Sequence, residues 1–232
     1  LGANLQGGVA SNFTVEVINL NDGCRNNAPL NVPDARVIPT IDLSVVQHNT
    51  VCDIATITPD GELLATVGNV GANITITWLG GVAPALQAGA NGEQFTQLQA
   101  GAYTARVEDD DTGCVSTDDS ETILNDLTYP VITINVTDQT NCAGTPNGQL
   151  EAIAAGTVTY SWFDGVGIAG APRAQTAFNS GIINQLATDD YTVLVRNTTT
   201  GCETTASEFV PVNITYPVVS FVSVTPVTSC VT

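Results

Sequence analysis

Lysine and methionine are both missing from this 232-residue chain, and histidine occurs once. Without lysine the chain cannot make the Lys–Asn isopeptide crosslinks of Gram-positive pilins. Without an initiator methionine it reads as a processed or excerpted segment. One histidine, His48, and no CxxC leave zinc without a ligand set; His48 reads as structural or solvent-facing. No apolar run approaches the ~18 residues of a membrane-spanning helix, and no signal peptide is present. GxSxG, HExxH, Walker and GxGxxG motifs are absent. Paired carboxylates for glycoside hydrolysis could only be sought among Glu151, Asp164, Asp189 and Asp190, which nothing in the sequence anchors in a cleft. The chain is therefore read as a non-enzyme.

Basic residues are scarce too. Five arginines face 23 acidic residues, for a formal net charge of −18. The surplus is uneven, with 13 acidic residues against one basic in 38–129, and seven against two in 130–217. Such a surface repels nucleic-acid phosphates and anionic lipid. It suits solubility, divalent cations or cationic partners.

What is present is a repeat. FTVEVINLNDGC from Phe13, YTARVEDDDTGC from Tyr103 and YTVLVRNTTTGC from Tyr191 each place a cysteine 11 residues after an aromatic. These cysteines are Cys24, Cys114 and Cys202. A second series, Cys52, Cys142 and Cys230, keeps the same step of 90 and then 88 residues. Trp78 and Trp162 occupy matching places. A fixed period of this size means tandem domains. The expected division is the C-terminal part of one repeat (1–37), whole repeats at 38–129 and 130–217, and the first strand of a following repeat (218–232). Six phased cysteines in an acidic chain rich in Thr, Asn and Gly read as disulfides in an oxidising, extracellular compartment.

Alternation with period two dominates, and no stretch keeps a helical period. Leu63, Ala65 and Val67 alternate with Glu62 and Thr66, and Leu150, Ala152 and Ala154 mark the matching strand in the second repeat; Tyr103, Ala105 and Val107 are matched there by Tyr191, Val193 and Val195. Turn signals at Pro59-Asp60-Gly61, Asn91-Gly92, Asp111-Thr112-Gly113 and Pro146-Asn147-Gly148 punctuate these runs. In repeat two the strands fall at A 131–137, B 148–154, C 157–163, a short C′ near 174–178, E 182–186, F 190–196 and G 202–210. The fold class expected is all-β, in tandem immunoglobulin-like β-sandwich repeats of about 90 residues, with tryptophan on strand C as the core plug. Phe95, Phe163, Phe178 and Phe209 have no obvious core slot. The Tyr129-Pro130 and Tyr216-Pro217 junctions are short, which predicts semi-rigid links between successive domains.

NCAGTPNGQLEA, VTYSWFDG, QLATDDYTVLV and TTTGC resemble the SprB-type repeats of Bacteroidota surface adhesins and the related PKD-like immunoglobulin-fold repeats of gliding-motility proteins. Repeat one matches through ITITWLGG and QLQAGAYTARV. It departs in what reads as a longer acidic F–G turn, and it lacks the aromatic two residues before its tryptophan. The resemblance implies a large secreted adhesin or surface filament. Because such units carry one cysteine of each series, it also favours the within-repeat pairs Cys52–Cys114 and Cys142–Cys202, with Cys24 and Cys230 left for neighbours. Geometry objects: the A–B and F–G turns lie at opposite ends of a seven-strand sandwich, far beyond the ~6 Å between bridged Cα atoms. Sequential pairing (Cys24–Cys52, Cys114–Cys142, Cys202–Cys230) and a Cys52–Cys202 bridge remain open beside it.

Glu108, Asp109, Asp110 and Asp111 in the F–G turn of repeat one are candidate calcium ligands, although no DxDxDG loop is present. No other cofactor is expected. Sequons at Asn12, Asn73, Asn135, Asn197 and Asn213 are candidate glycosylation sites. Taken together, the chain reads as a non-catalytic extracellular array forming the stalk or shaft of a bacterial surface adhesin or filament. Its partners would be neighbouring repeats, copies of itself, or surface glycans. The alternatives are a strand-donating polymerising filament subunit and a carbohydrate-binding module string of a secreted enzyme.

Overall fold

The computed structural model describes residues 11–80, 94–174 and 180–228. Among them there are strands and turns and no helix. The first described element is an antiparallel hairpin, β1 (Ser11–Ile18) with β2 (Arg25–Val32).

Repeat one follows with β3 (Thr40–Gln47), β4 (Gly61–Gly68), β5 (Ile74–Gly80), β6 (Gln94–Leu98) and β7 (Gly101–Asp109), then the short β8 (Cys114–Val115) and β9 (Asp119–Ile123). They form two sheets, β3-β4-β6 and β5-β7 with β8 and β9 both on β7. Repeat two has β10 (Ile132–Thr137), β11 (Gly148–Ala154), β12 (Val158–Asp164), β13 (Ile182–Leu186), β14 (Asp190–Asn197) and β15 (Glu203–Phe209), in sheets β10-β11-β13 and β12-β14-β15. Every pairing between these strands is antiparallel, while the isolated bridges Asn49–Asn125 and Gln139–Val212 are parallel. One sheet of A, B and E strands and another of C, F and G strands is the immunoglobulin-like arrangement. The strand expected near 174–178 lies largely, and Phe178 and the Asn91-Gly92 turn wholly, outside the described residues.

Alternation puts the cores where the sequence places them. Leu63, Ala65 and Val67 of β4 are buried, as are Tyr103, Ala105 and Val107 of β7. In repeat two Leu150, Trp162, Val193 and Val195 are fully buried. The two tryptophans differ. Trp162 is sealed inside, whereas Trp78 is only partly buried and meets Phe95 edge-on at 4.6 Å between ring centroids. Phe95 and Phe163 thus do have buried slots, at 7% and 6% exposure, while Phe209 stays exposed. The hydroxyl of Tyr103 donates to the Gln99 carbonyl at 2.9 Å, and that of Tyr191 to the Ala187 carbonyl at 3.2 Å. A tyrosine at the start of strand F that bonds back four residues is a hallmark of these sandwiches.

Both repeats shift register where strand E meets strand B, at Gly61/Leu63 and at Gly148/Leu150. Gln97 and Gln185 take the strain opposite, at φ of +64° and +60°. Gly148 is needed there, because a Cβ would stand 2.6 Å from the Leu186 carbonyl oxygen.

The chain folds as two compact units, Leu1–His48 with Gly61–Leu124, and Asn49–Asp60 with Asn125–Thr232. The boundaries differ from the expected 38–129 and 130–217 in one respect that matters. The A–B loop of repeat one, residues 49–60, belongs with the second unit. Residues 218–228, expected as a first strand, carry no strand.

Candidate functional site

Cysteine pairing is the chemistry this chain carries, and the second unit shows how it is arranged. Two residues past strand A (β3), the Asn49 carbonyl accepts the Asp126 N–H at 2.9 Å, and the Asn49 side-chain amide donates to Asn125 at 2.9 Å. Asp60 closes the loop base by accepting from the Thr50 N–H and hydroxyl at 2.7 and 2.6 Å. The loop so held presents Cys52 to Cys202 on the F–G turn of repeat two. The pair is disulfide-bonded with Cα atoms 4.9 Å apart, across 150 residues of sequence.

The dock extends beyond sulfur. The Thr200 carbonyl accepts N–H groups of Cys52 and Asp53 at 2.8 and 3.4 Å. The Arg196 guanidinium reaches Asp53 at 2.6 Å and Glu203 at 2.8 Å. The hydrogen bond from Arg196, followed by one from Thr56, holds the Asp53 carboxyl down to about 2. Gly201, at φ +72°, lets the loop close in, since a Cβ there would sit 2.6 Å from Asp53 Cβ.

This bridge overturns the expected Cys52–Cys114 and Cys142–Cys202 pairs. The physical reason is the geometric objection itself. Each sandwich has its A–B loop at the end where strand G leaves, as the Gln139–Val212 bridge shows, and its F–G turn at the other. Cys24, Cys114 and Cys142 carry free thiols here. Cys230 lies outside the described residues. The sign that could have decided the matter was Asp53 beside Cys52 and Arg196 just before the Cys202 turn, a charge pair with no counterpart at the other cysteines.

The acidic run does not assemble a metal centre. Among the described residues no three His, Cys, Asp or Glu side chains converge as a ligand set. Asp109 accepts the Gly71, Asp111 and Thr112 N–H groups at 3.1, 3.0 and 3.3 Å. Burial pushes its carboxyl up, but those backbone donors outweigh it and leave the group lowered. Asp110 accepts from the Thr75 hydroxyl at 3.0 Å, Asp111 from the Asn73 amide at 2.7 Å, and Glu108 is exposed. The turn is not longer than its partner in repeat two. The irregularity lies after it, where Ser116 interrupts strand G by accepting the Val107 N–H on its hydroxyl at 3.0 Å.

The remaining candidates are dispersed. Glu151 accepts from Asn135, Asp164 pairs with Arg173, and Asp189 caps the neighbouring Asp190 N–H, so these three carboxylates are held by separate partners. The Nδ1 of His48 accepts the Leu124 N–H at 3.1 Å. Of the sequon asparagines, Asn73, Asn135 and Asn213 donate to carboxylates and Asn197 caps its turn; the side chain of Asn12 lies outside the described set.

No protein-family model matches the chain, and no curated protein matches it. Among solved structures, three N-terminal domains of the bacteriophage RB49 highly immunogenic outer capsid protein are 17% identical over 76% of this chain and 59% of that one, with a TM-score of 0.36. Sidekick-1 immunoglobulin domains 1–5 are 13% identical over 88% of this chain and 46% of that one, with a TM-score of 0.30. Drosophila N-cadherin EC1–3 is 11% identical over 91% and 80%, with a TM-score of 0.29. The sandwich class itself rests on the strands and registers described above.

Proposed function

We propose that the chain is a non-catalytic extracellular array that bears load, as the stalk or shaft of a bacterial surface adhesin or filament of the SprB type. The observation that carries this is the path of the Cys52–Cys202 bridge. Tension applied along the chain enters at residue 52 and leaves at residue 202, so the 150-residue stretch between them is bypassed. A chain of that length would otherwise pay out roughly 500 Å when unravelled, at ~3.3–3.6 Å per residue. A bridge within one repeat would protect less. The acidic coat supports the same use by discouraging collapse of the array on itself.

Single-molecule force spectroscopy on the whole chain, tethered at its ends, tests this. Under oxidising conditions the extension comes only from residues outside the bridge. Adding a reductant releases about 500 Å more. Equal contour lengths in the two conditions, or measurable turnover of a glycan or peptide by the chain, would count against the reading.

A second reading, a polymerising subunit, draws on one feature. Val218, Phe221 and Val222 are 93%, 85% and 99% exposed in a segment with no strand partner. An unpaired apolar segment suits addition to another copy's sheet edge. A size series on native gels would show it. Surface glycans remain a candidate partner for either form.

A further inference from the structure

Three turns in the chain share one construction. The carbonyls of Asn19, Asp109 and Asn197 accept the N–H of Gly23, Gly113 and Gly201 at 2.8, 2.7 and 2.8 Å. Their side-chain Oδ1 atoms accept the N–H two residues on, at 3.0, 3.0 and 2.8 Å. The glycines have φ of +75°, +70° and +72°, and a cysteine follows each. In the second unit the turn is filled by the Cys52 loop, so repeat two shows what this construction binds. At Cys114 the same construction is open. A Cβ on Gly113 would meet nothing within 4 Å. Thr112 and Cys114 line a cavity of about 410 Å³ together with residues 32–37, which form a wall of it. Arg36 in that wall is paired with Asp34 at 2.8 Å, so the wall itself brings little net charge.

One residue differs in kind. Immediately before the turn repeat two has Arg196, which takes Asp53, the residue after Cys52. Repeat one has the exposed Glu108 in that place. We propose that the Cys114 turn is a second disulfide socket, and that it takes a cysteine-bearing loop of a neighbouring repeat. Glu108 selects loops with a basic or neutral residue directly after the cysteine, and rejects the acidic kind that Arg196 accepts. In the oxidising step the two thiols lose two electrons and two protons to an oxidant of the disulfide class, which is reduced to two thiols. The proposal rests on the tandem-repeat reading, but it is probed by labelling and not by force, so either can fail alone.

The test uses the full chain and three synthetic loop peptides, Gln-Thr-Asn-Cys-Xaa-Gly-Thr-Pro, in which Xaa is Asp, Ala or Arg. Each cysteine is activated as its mixed disulfide with thionitrobenzoate. The Cys114 thiolate attacks the peptide sulfur, and thionitrobenzoate leaves as a coloured thiolate. Peptide mapping assigns the rates to Cys114 and to the exposed Cys142, which is not on such a turn and serves as the internal reference. Relative to Cys142, Cys114 is expected to prefer Arg over Ala over Asp, by about three- to tenfold from end to end. Glu108→Arg, an exposed change, inverts the order at Cys114 only. No preference at Cys114 beyond that at Cys142, or an order that Glu108→Arg leaves alone, overturns the proposal.

Discussion

Two glycines with the same backbone angle have different surroundings, and that difference is measurable. Gly201 and Gly113 sit at φ +72° and +70°. Alanine at either position is strained by about 1 kcal/mol in the left-handed region. At Gly201 the new Cβ also collides with the docked loop, 2.6 Å from Asp53 Cβ, whereas at Gly113 it meets nothing. Gly201→Ala is therefore expected to cost clearly more stability than Gly113→Ala in denaturant titrations. It should also leave a larger fraction of Cys52 and Cys202 open to alkylation. Equal losses at the two positions would show that the loop does not press on the turn. The cysteine phase, the turn and the glycine were all legible in the sequence. Which glycine has a neighbour was not, because that neighbour is 148 residues away along the chain.

At the level of the element, the 49–60 loop is held to the second unit by groups that titrate. Asp53 has its carboxyl lowered from 3.8 to about 2, first by the Arg196 hydrogen bond. A carboxyl lowered on folding contributes stability that is complete above its unfolded value and is lost as pH falls through the folded one. The loop should thus loosen between about pH 4 and pH 2. The readout is the rate at which a water-soluble phosphine reduces the Cys52–Cys202 bond. A rise across that window is expected in the native chain, and Asp53→Asn should remove the step that Asp53 supplies, because its amide does not titrate there. A step that persists in Asp53→Asn would assign the acid sensitivity elsewhere. The strands around this loop were readable from alternation, since the pleat sends successive side chains to opposite faces. The loop's allegiance was not, since its residues alternate with nothing and its partners lie in the next repeat.

For the whole molecule the bridge is the dominant single constraint. In the chain-entropy account, tying residues 150 apart restricts the unfolded ensemble by about 4–5 kcal/mol. Replacing Cys52 and Cys202 together by alanine should lower the unfolding free energy of the second unit by about that amount. Unfolding followed by hydrogen exchange resolves the two units separately. Protection of Leu150 and Val193 in the second core is expected to drop, and that of Leu63 and Val107 in the first core to change less. A uniform drop in both cores would mean that the bridge acts on the chain as one cooperative block.

The sequence by itself determined the repeat step, the strand positions, the alternating cores and the class of fold, because each depends on side chains a few residues apart. It misplaced Phe95, which alternation alone could not seat against Trp78, and it read a longer turn where the real departure is the break in strand G at Ser116. Only the tertiary structure decided which cysteines meet. The reason is topological: strands A and G run so that the A–B loop and the F–G turn of one sandwich face opposite ways. Cys52 therefore finds its partner not in Cys114 of its own repeat but in Cys202 of the next, where Arg196 and the open face of Gly201 receive it.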